Sequence, residues 1–162
     1  MKILWLTALF VVGVSAALVI AGQMGLLKGP APKDLGVHEG RLKPPSRTSN
    51  SVTSQADLYP DHPQKDYSRI APFQFTGDGE KAMARIADIL KNSDRTLLMT
   101  QGPGYLYAQS STQLLKFTDD LEFWLDRSAG VIQVRSASRL GQKDFNVNRH
   151  RVERIRAQFS TN

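Results

Sequence analysis

Asp119-Asp-Leu-Glu-Phe-Trp-Leu-Asp-Arg-Ser-Ala-Gly-Val-Ile-Gln-Val-Arg135 is the best-determined piece of the chain. Two β-prone runs, 119–126 and 131–135, flank Arg127-Ser-Ala-Gly130, and a symmetric turn there joins them as a hairpin. In that register Phe123 faces Val134 and Leu125 faces Ile132 on one side, while Glu122 faces Arg135 on the other. One face is expected to be core and the other polar, with Glu122 and Arg135 an ion pair worth about 0–1 kcal/mol if exposed. Asp119 and Asp120 invite metal or acid–base chemistry, but neighbouring strand residues point to opposite faces, so these two carboxylates do not simply share a site.

Towards the C-terminus, Val131 to Arg156 reads as a strand, a tight polar turn and a basic helix. From Arg135 onward there are seven Lys/Arg against two Asp/Glu, whereas residues 1–134 carry fourteen against thirteen, so this segment holds nearly all of the formal net charge of +6. Ser136 and Ser138 either meet a ligand or stabilise the turn, Gly141 permits a positive φ, and Asp144 or Asn146 is placed to cap the last helix. In that helix Asn148, Val152, Ile155 and Phe159 fall on one face, flanked by Arg151 and Arg156. Arg149, His150 and Arg154 project further towards solvent, and a charged face is often no more than a solvated one.

Towards the N-terminus, Thr96–Gln101 and Tyr105–Ser110 flank Gly102-Pro-Gly104 as a second hairpin. The glycine spacing matches neither phosphate-binding fingerprint. Tyr105 and Tyr107 share a strand face, where sheet packing explains them more simply than a stacking platform does. The folded unit is expected to begin at Phe73-Gln-Phe75, followed by a helix from Asp78, its N-cap, to Lys91, with Met83, Ile86, Ile89 and Leu90 as its apolar stripe.

Seven of the eight prolines lie between Gly29 and Pro72, with Ser, Thr and Asn clustered from Ser46 to Ser54. Residues 28–55 are therefore expected as a linker that turns into an extended, partly docked segment, disorder being the plain alternative. His38 and His62 lack a second ligand at metal spacing and read as solvated side chains.

Ile3 to Gly22 is a run of twenty residues without a charge, with apolar character continuing to Leu27. A helix needs about 20 such residues to cross the hydrocarbon core. A cleaved signal is the rival, since Val14-Ser-Ala16 and Val19-Ile-Ala21 offer small-residue sites, but the length favours an uncleaved anchor over residues 3–27. The positive-inside rule sets Lys2 and the amino terminus against Lys28, Lys33, Arg41 and Lys43 and tilts the domain to the cytoplasm. A two-residue tail before a long apolar segment instead fits a signal anchor that exports the domain behind it, and the extracytoplasmic side is preferred. With no cysteine, disulfides, thiolate metal sites and a cysteine nucleophile are excluded.

Val134-Arg-Ser-Ala-Ser-Arg-Leu-Gly141, Asp144, Val147-Asn-Arg149, Arg151-Val-Glu153 and Ile155-Arg156, preceded by Phe117-Thr-Asp-Asp-Leu-Glu-Phe123, resemble the family called domain of unknown function 1499. The similarity covers about residues 42–160 and includes Leu42-Lys-Pro-Pro-Ser-Arg-Thr-Ser-Asn-Ser-Val-Thr-Ser54. Two positions that are often cysteine in relatives are here Pro45 and Ser51, and Asn146 stands where glycine is usual. If those cysteines pair in relatives, this chain holds the segment without that staple. The resemblance implies a bacterial or plastid-type protein, often membrane-associated, and brings no activity with it.

These readings combine into an α+β protein: an anchor over 1–27, a Pro/Ser-rich segment over 28–55, and over 56–162 an antiparallel sheet packed by two helices. The candidate ligand-binding residues are Arg135, Ser136, Ser138, Arg139, Asp144, Asn148, Arg149 and Arg151. The leading expectation is a membrane-anchored binding or scaffolding module whose basic turn and helix engage an anionic lipid headgroup or an acidic protein surface. The alternative is an enzyme or receptor for a small phosphate- or carboxylate-bearing molecule. Nucleic acid ranks third, and no cofactor or metal is implied.

Overall fold

The computed structural model describes residues 1–161. Its first element, α1 (Lys2–Gln23), is long and apolar enough to cross a membrane, and among its residues only Gly22 is buried. Along the chain come next β1 (Ser51–Thr53), a short 3-10 turn (Ala56–Leu58), the single-turn α2 (Lys65–Ser68), β2 (Phe73–Gln74), α3 (Gly79–Lys91), β3 (Thr96–Gly102), β4 (Tyr105–Ser111), β5 (Thr118–Asp126), β6 (Val131–Ser138) and α4 (Val147–Ser160). The sheet is antiparallel in the order β1-β6-β5-β4-β3, and β2 shares the outer edge of β6 with β1. Its central hairpin has the expected register, with Phe123 opposite Val134, Leu125 opposite Ile132 and Glu122 opposite Arg135.

Helices α3 and α4 cover one face of this sheet. Leu106, Ala108, Leu121, Phe123, Ile132 and Val134 meet Met83, Ile86, Leu90, Val152, Ile155 and Phe159 there in one cluster. Phe73 sits at its centre, edge-on to Phe123 and Phe159 with ring centroids 5.6 Å away in each case. The Asp78 side chain accepts from the Glu80 and Lys81 amides and starts α3, as its position before the apolar stripe predicts.

The opposite face departs from expectation. Glu122 and Asp120 are buried rather than solvated, because residues 34–44 run across this face as a strap. Gly36 N–H donates to Glu122 Oε1 at 2.7 Å, and Leu42 N–H donates to Gln55 Oε1 at 2.8 Å. Between them the paired backbones of His38 and Arg41 close a two-residue turn over Glu39 and Gly40, both at positive φ. The stretch 28–55, expected as a linker that turns into an extended, partly docked segment, supplies both the strap and the strand β1, whose residues are all buried. At the two positions where the resemblance implies cysteines, Pro45 is buried and Ser51 accepts the Ser46 amide at 2.8 Å, a hydrogen bond that closes this loop.

The end of α1 is tied to the loop between β4 and β5. Gln23 Nε2 donates to Leu114 O at 2.8 Å, and a Cβ at Gly22 would lie 2.6 Å from Leu115 O, so only glycine lets helix and loop approach this closely. A docked strap has a direct signature: in amide hydrogen exchange, Gly36 and Leu42 are expected to be protected like β5 and β6. Exchange at the rate of a free chain would show the segment to be a loose linker.

Candidate functional site

Residues 135–138 alternate across the sheet, so the eight candidate residues do not converge on one pocket. Arg135 points to the strap face, where its Nη1 lies 3.6 Å from Glu122 Oε2 and its Nε donates to Pro44 O at 3.4 Å. Glu122 also accepts from Tyr105 Oη at 2.8 Å. The pair is almost wholly buried, with side-chain exposures of 5% and 0%, so the small energy of an exposed bridge does not apply. Burial disfavours the Arg135 charge, and Glu122 and Asp120 oppose that effect. Burial and the Glu122 carboxylate push the Tyr105 phenol far above its ordinary value.

Arg139 joins the same face from just beyond β6. It grips Asp120 with two hydrogen bonds of 2.9 and 2.7 Å, while Tyr107 Oη donates to Asp120 at 2.7 Å. Tyr105 and Tyr107 thus serve as donors to buried carboxylates, and no open stacking platform is needed to explain them.

On the helix face, Asn148 connects four elements. Its Oδ1 accepts from Ser136 Oγ at 2.5 Å and Arg151 Nη1 at 3.1 Å, and its Nδ2 donates to Ser138 Oγ at 2.9 Å, Asn50 O at 3.2 Å and Asp144 Oδ2 at 2.8 Å. Asn146, in a left-handed conformation, occupies the N-cap position of α4 but makes no capping bond with its side chain. Asp144 supplies that function instead, accepting the Asn146 and Asn148 amides at 3.0 and 3.1 Å. Its other partner is the Tyr67 hydroxyl. Burial alone would raise the Asp144 pKa; the bonds from Tyr67, Asn148 and the two amides outweigh it and hold the carboxyl below the usual range. Arg151 continues the network to Asp119 at 2.6 Å, and Arg149 turns away to the Tyr67 and Arg69 carbonyls. Asp119 and Asp120 therefore act on opposite faces, each held by its own arginine.

An open cleft lies beside this network, between α4, the end of α3 and the C-terminal end of β4. Its volume is about 670 Å³. Arg151, Arg154 and His150 line it from α4, Arg95 from the turn after α3, and Thr96, Ser110 and Thr112 contribute hydroxyls. Asp94 also lines the cleft, 3.8 Å from Arg95 in an exposed pair. Arg154 forms no ion pair among the described residues. Arginine forks with hydroxyls around them are suited to a phosphate or carboxylate. Of the eight candidates only Arg151 reaches this cleft. Arg95 escaped the sequence reading because nothing local marks it, although the hairpin register that sets Thr96 opposite Ser110 brings it beside the end of β4. No group of three or more His, Cys, Asp or Glu is arranged to hold a metal among the described residues.

The family described as Protein of unknown function (DUF1499) matches residues 41–159 of the chain. The chain belongs to that family. No curated protein and no solved structure matches it.

Two stability measurements test the networks. Arg135→Met leaves Glu122 buried and unpaired and is expected to cost about 3–5 kcal/mol in urea unfolding; adding Glu122→Gln should recover most of that loss. For Asp144 the folded-state pKa is depressed. Its stabilisation is therefore fully present above the unfolded value of about 3.9 and disappears as pH falls through the folded one. The stability gap between wild type and Asp144→Asn should be widest near neutrality and should close in acid. A gap independent of pH would show that the carboxylate charge contributes nothing.

Proposed function

We propose that this member of the family is a single-pass membrane protein whose domain binds an anionic partner at the membrane surface, taking a phosphate-bearing lipid headgroup in the cleft between α4 and β4. One residue carries the reading: Gln113 lines the cleft, and its carbonyl also receives the Gln23 side chain at 3.4 Å from the end of α1. With α1 across a bilayer, the cleft lies where headgroups lie.

The electrostatics support a modest, local attraction rather than a broad basic patch. Arg135, Arg139 and Arg151 are each committed to a carboxylate, and Arg156 bonds Glu153 and the carbonyls of Ala71 and Pro72. Arg154 remains available, and Arg95 gives up little by leaving its exposed pair with Asp94. Each basic side chain near an anionic surface contributes about 1 kcal/mol.

The second reading is an enzyme or receptor for a small phosphate- or carboxylate-bearing molecule. The hydroxyl-rich wall of the cleft favours it, because three hydroxyls beside arginines suit a discrete anion as well as they suit a headgroup. An acidic protein surface is the third occupant of the same chemistry.

Native mass spectrometry of the full chain, released in mild detergent and titrated with phosphatidylglycerol, phosphatidylcholine or citrate, separates these cases. The expected result is selective retention of phosphatidylglycerol, weakened about 10–30-fold by Arg95→Gln with Arg154→Gln. Equal retention of both lipids, unchanged by the substitutions, would contradict the headgroup reading; citrate binding without lipid preference would favour the small-molecule one.

A further inference from the structure

We propose that the end of the domain nearest α1 is itself a membrane-contacting surface, seated in the interfacial region of the same bilayer. Beyond α1 and the turn after it, the described residues expose eight large apolar side chains, and five of them lie together at this end. Leu114 and Phe117 belong to the β4–β5 loop, Leu140 and Phe145 to the β6–α4 loop, and Val147 begins α4. Strand register places the two loops side by side, since Asp119 pairs with Ser138 and Arg139 N–H donates to Thr118 O at 3.1 Å.

The same two loops are the ones that the end of α1 touches. Gln23 bonds the carbonyls of Gln113 and Leu114, Gly22 is packed on Leu115, and Gly29 lies against Arg139 and Leu140. The patch is therefore continuous with a helix built to lie in lipid, and a bilayer around α1 meets these side chains first. Lys28, Lys116 and Lys143 belong to the same segments and suit the anionic headgroups at that depth.

Phe145 gives the clearest indication. It is 85% exposed and has a φ of 51°, a left-handed conformation that a bulky side chain rarely adopts. Packing within the domain does not account for an aromatic ring held outward on such a backbone, whereas an interfacial seat, in which apolar groups sink about 5–10 Å, does.

The inference rests on α1 spanning a bilayer but not on any occupant of the cleft. Because the chain has no cysteine, single spin labels test it in the full-length protein in phosphatidylglycerol-containing nanodiscs. Labels at Leu9→Cys, Leu114→Cys, Phe145→Cys and, at the far end of the sheet, Ala129→Cys would be compared for collision with oxygen, which concentrates in lipid, and with a water-soluble nickel chelate. Positions 114 and 145 are expected to resemble 9, with an oxygen-to-nickel ratio several-fold above that at 129. If 9 is in lipid while 114 and 145 match 129, the surface does not contact the membrane and α1 remains an anchor. If 9 itself is in water, both the contact and the span are wrong. Loss of lipid selectivity at the cleft with 114 and 145 still in lipid would remove the headgroup reading alone.

Discussion

In the middle of the sheet, Arg135 and Glu122 form an ion pair almost wholly removed from water. Taking two charges out of water costs several kcal/mol per ion unless geometry and further hydrogen bonds offset it. Here the offsets come from outside the hairpin: the Gly36 amide and Tyr105 hydroxyl reach Glu122, and the Pro44 carbonyl reaches Arg135. Even so, Glu122 Oε2 has only the ion pair and no hydrogen bond. The strap is both what removes the pair from water and what compensates it, so strap and pair stand or fall together. Through the strap, a cross-strand contact in the middle of the sheet sets the path of residues 36–44.

The helix side obeys the same logic with neutral groups. Asn148 is fully buried among Ser136, Ser138, Asp144, Arg151 and the Asn50 carbonyl, and each of its polar atoms is used. Buried polar groups that are fully satisfied fix one arrangement of the elements carrying them. The polar residues that cluster in the C-terminal third are thus largely structural: they hold β6, α4 and the segment before β1 in register. What they leave over for binding is small and peripheral, a cleft beside α4 and the apolar rim near α1.

Much of the fold was legible in the sequence because local patterns and tertiary packing agree there. Alternation around Phe123 and Val134 set the hairpin, and the spacing of Met83, Ile86 and Leu90 behind Asp78 set α3. The strap was not legible, since its backbone bonds go to side chains such as Glu122 and Gln55 and leave no periodicity. The candidate site was half legible. That Arg135 and Ser136 lie on opposite faces follows from strand alternation, yet Arg139 lies beyond the strand, and only the structure turns it to Asp120. The cleft needed the packing of three elements distant in sequence, and Arg95 had no local mark at all.

The contacts of Gln23 with Leu114 and of Gly22 with Leu115, together with the strap docked on Glu122 and Gln55, hold the domain in one orientation on α1. Pulsed dipolar spectroscopy reads this orientation, with nitroxides at Met24→Cys and Ala129→Cys of the full chain in nanodiscs, both exposed positions, one just after α1 and the other in the turn between β5 and β6. A fixed strap requires one narrow distance distribution, which broadens when Glu122→Gln weakens the strap's attachment. A broad distribution in the unaltered strap, unchanged by that substitution, would contradict it.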